Sequence, residues 1–558
     1  MTSPHTHTDT HTDTHTRTAT TTTTTMPMPM LWEELVTSAL LGTDRRPPAN
    51  GSGGTGGPLA VLDAAALHTV RRRAGLLPAS AAERPERAPA DPRPPLPAAA
   101  RHRLVQLLTD RSAPSGGSGR RGTAPDLTEL LPQWLAAANQ HGFRAPAVVL
   151  PALLDAARAR TDLRAHVLGF AGPRGLWLAR MNPEWKFALR GAPGSPPPSV
   201  ATDPEAVRCL WEEGLFAERV ALLGSVRRRE PAAALTLLST TWSTERAEDR
   251  LMFLDSLRTG LSGADEAFLE QALADRSRNV RATAAELLSA LPRSALAVRM
   301  AARATTCVNP DRTGEAASIA VEAPHECDAS MQRDGVVPVP PSGRGERSWW
   351  LGQLVEATPL TTWRERFAGR SAQEIVALPV ADGWTEELHA AWCRAAVRQR
   401  DPEWARALLG PPSTPPANGP GTASLAERSK LLATLPSEER ALWVADFIAA
   451  HGLSEAFQLL GVCVVPWAEP LGRSVVDALD IARDAGSYPW SFSGVMGLAE
   501  RCLNPAEADR LEVLTTTPDE PEGASPGAGG YWSEAFQRLV STLRLRSAMD
   551  RELTPGAP

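Results

Sequence analysis

The stretch DRSRNVRATAAELLSALP, running from Asp275 to Pro292, decides how the chain is read. Its acid and its arginines Arg276, Arg278 and Arg281 have the composition of an anion-binding cluster. Its apolar residues answer to a different constraint. Val280, Ala284, Leu287, Leu288 and Leu291 recur at i, i+4, i+7, i+8 and i+11, which puts them on one face of an α-helix. The segment just before it, with Phe268, Leu269, Ala272 and Leu273, carries a matching stripe. Two amphipathic helices joined by a turn at Asp275 can bury both stripes against each other, which leaves the charges to the turn and the rim. The spacing favours architecture over a charged site.

The order Asp-x(4)-Val-Arg-x-x-Ala-Ala-x-x-Leu, from Asp275 to Leu288, resembles the second half of a HEAT repeat. In that family the acid caps backbone in the turn, and the arginine forms a ladder with the acid of an adjacent repeat. The resemblance therefore implies Asp275 and Arg281 as turn and ladder residues.

Outward from this stretch the same periodicity predicts helices near 204–213, 215–227, 231–242, 244–259, 264–274 and 278–290. More are expected near 346–357, 385–399, 402–409, 424–435, 437–450, 453–460, 469–485, 491–501, 505–514 and 531–547. Toward the N-terminus the pattern begins at LWEELVTSALLGTDRRP (31–47) and continues near 59–74, 98–109, 127–140 and 146–160. The segments NPEWKFALRG (182–191) and DPEWARALLG (401–410) repeat one device. An Asn or Asp caps the helix, a Pro fills its first turn, a Glu meets the positive end of the dipole and a Trp anchors it. Only AASIAVEAP (316–324) and GVVPVPP (335–341) read as strands, and they are expected to pair as a hairpin. The expected fold class is all-α, an α-solenoid of HEAT-like antiparallel helix pairs with one small β-containing insertion around 315–340. Its expected parts are a low-complexity tail (1–29), an N-terminal helical region (30–199), HEAT-like repeats (200–303), the insertion (304–345), C-terminal helical repeats (346–548) and a second tail (549–558).

Composition narrows the function classes. The net charge of -6 argues against a dedicated nucleic-acid binder. Of the 58 basic residues only Lys186 and Lys430 are lysines, the mark of a GC-rich genome rather than of guanidinium chemistry. The six cysteines form no Cys-x-x-Cys pair, so neither a disulfide framework nor a zinc site is expected. His5, His7, His11 and His15 lie in the Thr-rich tail, whose composition cannot support a packed core. No apolar run reaches membrane-spanning length and no signal peptide is visible, which makes a cytoplasmic location the default expectation. Signatures of zinc proteases, α/β-hydrolases, dinucleotide-binding folds, EF-hands and kinases are missing from the sequence. No catalytic residue, metal ligand or cofactor is assigned.

Two loops remain as candidates. PPSGRGERSWW, with Ser342, Gly343, Arg344, Gly345, Arg347, Trp349 and Trp350, opens a helix and could cradle an anion or a partner, although it lacks the Gly-Lys-Ser/Thr of a Walker A loop. GPRGLWLARMNPEW (172–185) offers Arg174 and Trp177 as surface candidates, with Gly172 and Gly175 shaping a turn. Whether these two loops share one pocket is a question for the structure.

Taken together, LWEELVTSALLGTDRRP, GPRGLWLARMNPEW, FLEQALADRSRNVRATAAELLSALPRS and CDASMQRDGVVPVPPSGRGERSWWL resemble a bacterial family of uncharacterised helical proteins. Members of that family are encoded beside MoxR-type AAA+ ATPases, von Willebrand factor A domain proteins and SWIM zinc-finger proteins. The resemblance implies a partner role near an ATPase–chaperone system. The repeated helix pairs, the HEAT-like turn, the recurrent caps and the missing catalytic motifs make a non-enzymatic scaffold or adaptor for protein partners the expected function, an AAA+ ATPase or a von Willebrand A protein among them. The alternative is a HEAT-like nucleic-acid-binding or base-processing protein, with Arg227–Arg229 and Arg276–Arg281 lining a concave face.

Overall fold

The stripe that starts at Val280 is buried as its spacing predicts: Val280, Ala284, Leu287 and Leu288 all lie in the core. The computed structural model describes residues 32–43, 57–74, 85–88, 90–110, 124–189, 204–214, 216–311, 317–415, 424–517 and 525–554. The expected tail at 1–29 lies outside them. The chain divides into two units, residues 1–87 and 88–558.

In the first unit, α1 (Trp32–Leu41) packs on α2 (Pro58–Ala74). Leu35 and Val61 are its buried contact. Trp32 meets His68 edge-on, with ring centroids 6.2 Å apart, and carries the Arg72 guanidinium 5.0 Å above its ring.

The second unit begins with α3 (Ala98–Asp110), α4 (Leu127–Gln140), α5 (Leu150–Ala159), α6 (Arg164–Met181) and α7 (Lys186–Leu189). Gly172 kinks α6 with φ 57° and ψ -153°, a region open in practice only to glycine, and Pro173 follows it. The bend lets Arg93 reach in: paired with Asp91 at 2.7 Å, it donates to the carbonyls of Gly169 at 2.7 Å and Phe170 at 3.0 Å. A Cβ on Gly172 would stand 2.2 Å from that guanidinium. Gly175, expected in a turn, is instead buried within the helix.

The middle of the unit runs through α8 (Pro204–Glu213), α9 (Phe216–Arg229), α10 (Pro231–Thr241), α11 (Ala247–Ser256), α12 (Glu266–Ala272), α13 (Arg278–Ser289) and α14 (Ala295–Cys307). The spacing does not predict α14, whose cap is Ser294, accepting from the Ala297 N–H at 3.1 Å. Then come β1 (Val308–Asp311) and β2 (Ser318–Val321), an antiparallel pair with Val308 opposite Val321. The hairpin expected between 316–324 and 335–341 does not form. Its second arm has prolines at 338, 340 and 341, which cannot donate to a ladder. Its other backbone groups are used locally: the Val336 N–H donates to the Met331 carbonyl at 3.0 Å, Gln353 accepts from the Val337 N–H at 2.8 Å, and the carbonyls of Val337 and Pro338 each receive an indole N–H at 2.8 Å.

The unit continues with α15 (Ala329–Arg333), α16 (Glu346–Glu356), α17 (Leu360–Arg366), α18 (Ala372–Val376), α19 (Thr385–Gln399), α20 (Pro402–Leu409) and α21 (Leu425–Thr434). It ends with α22 (Ser437–His451), α23 (Leu453–Leu460), α24 (Glu469–Asp484), α25 (Ser493–Cys502) and α26 (Ala528–Leu553). The helix expected at 505–514 is instead two 3-10 segments, Pro505–Glu507 and Arg510–Thr515.

The fold is all-α apart from the two short strands. From α8 to α26 helices pack largely on the next helix or the next but one: α9 on α11, α11 on α13, α14 on α16, α19 on α21, α21 on α23, α22 on α24; α16 skips the short α17 and α18 to pack on α19. The last helix departs from this order. It is helical through Leu553, into the stretch expected to be a tail, and packs on α3 and α4. Met549 and Leu553 are buried in the core of the 96–188 bundle, and Arg103 binds Glu552 at 2.8 Å.

Candidate functional site

Asp275 sits in the turn between α12 and α13, and the arginine on its carboxylate is Arg250, not the Arg281 that the resemblance implies. Asp275 accepts from the Ser277 N–H at 2.8 Å, which closes the turn. Its carboxylate is met by Arg250 of α11, whose Nε lies 2.9 Å from Oδ2. Arg281 instead donates to the carbonyls of Asp275 at 2.7 Å and Arg276 at 3.1 Å. The reason is geometric. Arg281 stands in the first turn of α13, and helical side chains lean toward the N-terminus, so its guanidinium folds back onto its own turn. Arg227, expected on a basic face, is 1% exposed and pairs with Asp265 of the α12 entry, Nη1 to Oδ1 at 2.8 Å. Arg276 and Arg278 are exposed.

The 340–350 loop is a clamp. Arg347 Nε donates to the Pro324 carbonyl at 3.2 Å. Trp349 and Trp350 spend their indole N–H groups on Val337 and Pro338, and Trp350 is buried. Arg344 lies 5.8 Å over the Trp349 ring and 3.9 Å from Glu387. Ser342, Gly343 and Gly345 are exposed, with Gly345 capping α16. Arg174 is exposed and Trp177 half-buried on α6. The shallow pocket touching Val336, Val337 and Trp349 is lined from α13, α14, α16 and α19 and takes no residue from 172–185.

Two larger concavities lie where no local motif marks them. The first is a cleft of about 770 Å³ among α13, α16, α19 and α21. Its wall is a run of alternating charges. Asp255 holds Arg258 at 2.7 Å, and Arg258 grips Glu286 with two bonds of 2.9 and 3.0 Å. That guanidinium keeps the Glu286 carboxyl below its ordinary value. Glu356 receives both Arg398 and Arg394, the latter at 2.6 Å, and Arg398 also reaches the Ser289 hydroxyl at 3.0 Å. Burial, with help from Glu427, pushes the Cys393 thiol up to about 12, so at neutral pH it is a protonated wall residue and no nucleophile.

The second is a groove of about 1000 Å³ over α22 and α24. Its floor is small and apolar, with Ala445, Ala478 and Ala482. Leu442 and Ile481 stand on its lips, 51% and 70% exposed. Asp446 and Asp477 flank them, and neither has a partner among the described residues; Glu469 on the same rim is paired with Arg473.

Behind the cleft, α19 carries His389 inward. It stacks on Trp392 at 5.7 Å, and Trp392 meets Trp363 at 6.0 Å and Trp404 at 5.3 Å. His389 Nε2 is buried without a partner, and burial lowers the pKa of the ring. The folded chain therefore keeps His389 neutral where the unfolded chain takes up a proton, below about pH 6.5. Stability tied to this residue is present above that pH and falls as pH drops through it. His389→Phe is expected to match the wild-type melting temperature at pH 7.5 and to lose less of it at pH 5. An equal loss in both proteins would remove His389 as the cause.

Residues 34–553 match the model of a family of unknown function (DUF5691). The chain belongs to this family. No curated protein matches it. The family match spans helices of both units, from α1 to α26, and so includes the cleft, the groove and the closing helix. Among the described residues no helix is long and apolar enough to cross a membrane, and no group of His, Cys, Asp or Glu could hold a metal ion.

Proposed function

We propose that this member of the DUF5691 family is a solenoid-type scaffold that holds a protein partner in the α22–α24 groove. The observation that carries the reading is the groove itself: a small-residue floor between two exposed aliphatic lips, with two unpaired acids beside them. A helix laid into such a groove buries its apolar stripe and is oriented by its flanks. The surplus of acid assigns the partner an amphipathic helix with Lys or Arg next to that stripe. The ion-paired walls elsewhere fit the same reading, since arginines and glutamates held by each other stiffen a surface rather than attack a substrate. The resemblance to proteins encoded beside MoxR-type ATPases and von Willebrand A proteins puts those two first among partners to test.

The test uses purified full-length chain with a MoxR-type ATPase and a von Willebrand A protein from the same genome, followed by calorimetry. Binding by one of them is expected, with a loss on the order of a hundredfold in the Leu442→Asp, Ile481→Asp double variant. Both residues are exposed, so the melting temperature should hold. Unchanged affinity in the double variant would take the groove out of the reading, and no binding by either protein would count against both named partners.

A further inference from the structure

The cleft among α13, α16, α19 and α21 contains more cation than its carboxylates use. Its lining includes Arg258, Arg394, Arg398, Arg400 and Lys430 against Glu286, Glu356 and Glu427. The first three arginines are engaged by Glu286 and Glu356. The side chains of Arg400 and Lys430 have no hydrogen-bond or ion-pair partner among the described residues, and both residues are exposed and line the cleft. Lys430 lies one turn beyond Glu427 on α21, on the side where Glu427 acts on Cys393 of α19.

Arg400 is also strained. It closes α19 with φ 53° and ψ 46°, the left-handed conformation that glycine or asparagine usually fills. No side-chain contact offsets that strain, which makes the position a place to look for a ligand. Leu261, Leu287, Leu291 and Val397 add apolar surface to the same lining. The volume falls within the range of small-molecule sites.

We infer that this cleft binds a small phosphate ester. The dianionic head sits between Arg400 and Lys430, a fork and a point charge that together match its two charges. The organic body lies along the leucines. This site is separate from the α22–α24 groove and does not depend on the scaffold reading.

Calorimetry at low ionic strength tests it, with phenyl phosphate, inorganic phosphate and phenol as probes. Phenyl phosphate is expected to bind best, inorganic phosphate more weakly and phenol not at all. Lys430→Gln and Arg400→Gly are each expected to weaken phenyl phosphate binding by about tenfold. Arg400→Gly relieves the backbone, so its melting temperature should equal or exceed that of wild type. Loss of binding in that variant is then not loss of fold. Absence of phenyl phosphate binding at millimolar concentration, or equal affinity in wild type and both variants, overturns the site. Equal affinity for phenyl phosphate and inorganic phosphate overturns the ester and its apolar contact.

Discussion

Replacing Asp265 with Ala is expected to lower stability by about 3–5 kcal/mol, read as a shift in the denaturant midpoint. Asp265 is 1% exposed and serves two elements at once. It accepts from the Ser262 N–H at 2.9 Å, closing the capping box that starts α12, and it neutralises Arg227. That arginine leaves α9 and donates to the carbonyls of Thr259 at 2.8 Å, Pro231 at 2.9 Å and Gly260 at 3.2 Å. Two connections, α9–α10 and α11–α12, are therefore pinned by one guanidinium, and removing the acid strands its charge in the core. Arg227→Met should cost less than Asp265→Ala, because its apolar chain refills the volume, although it leaves the carboxylate short of a donor. A change below about 1 kcal/mol in Asp265→Ala would refute this account of the pair.

Asp334 is the second such anchor, and its loss should cost about 3 kcal/mol. It is fully buried, with Arg299 Nε at 3.0 Å and Arg303 Nη2 at 2.8 Å, and so ties α14 to the chain that leads into α16. Burial pushes its pKa up, but the hydrogen bonds from Arg299 and Arg303 outweigh it, and the carboxyl stays below its ordinary value. The sign follows: its contribution is present above about pH 4 and is lost as pH falls through the lowered folded value. Glu270, at 3.1 Å from Arg299, takes up part of the load. For that reason the cost is set below that for Asp265. Unfolding of wild type and Asp334→Ala should converge at low pH. A gap that stays constant down to pH 2 would contradict the assignment.

Helix boundaries were legible where a local device marks them. Asp401 accepts from the N–H groups of Glu403 and Trp404, Gly410 ends the same helix, and α20 spans the residues its caps predict. Where the device is faint, the reading misses: α14 begins at a lone Ser294, and α15, α17 and α18 are each too short for a periodic stripe to repeat. The β-pair was misjudged because valines suggested a strand while the prolines between them removed its donors. The partners of the arginines were out of reach for a different reason. Arg250 and Asp275, or Arg227 and Asp265, meet only once intervening helices have stacked, and no spacing rule says which of many arginines will arrive. The cleft is less visible still, since it draws its wall from helices far apart in sequence, and the 340–350 loop that looked like a site is consumed by backbone contacts.

The meeting of α26 with α3 and α4 bears on how the molecule is made. The bundle at 96–188 is synthesised early, yet Met549 and Leu553, which complete its core, leave the ribosome hundreds of residues later. Until then its apolar face is open to the solvent, and the intervening helices can stack on one another without it. Closure joins Arg103 to Glu552 across a separation of 449 residues, and so long a loop carries a high entropic cost before its contacts form. A nascent chain stalled before Ala528 would present that bare face to chaperones, however well its middle had folded.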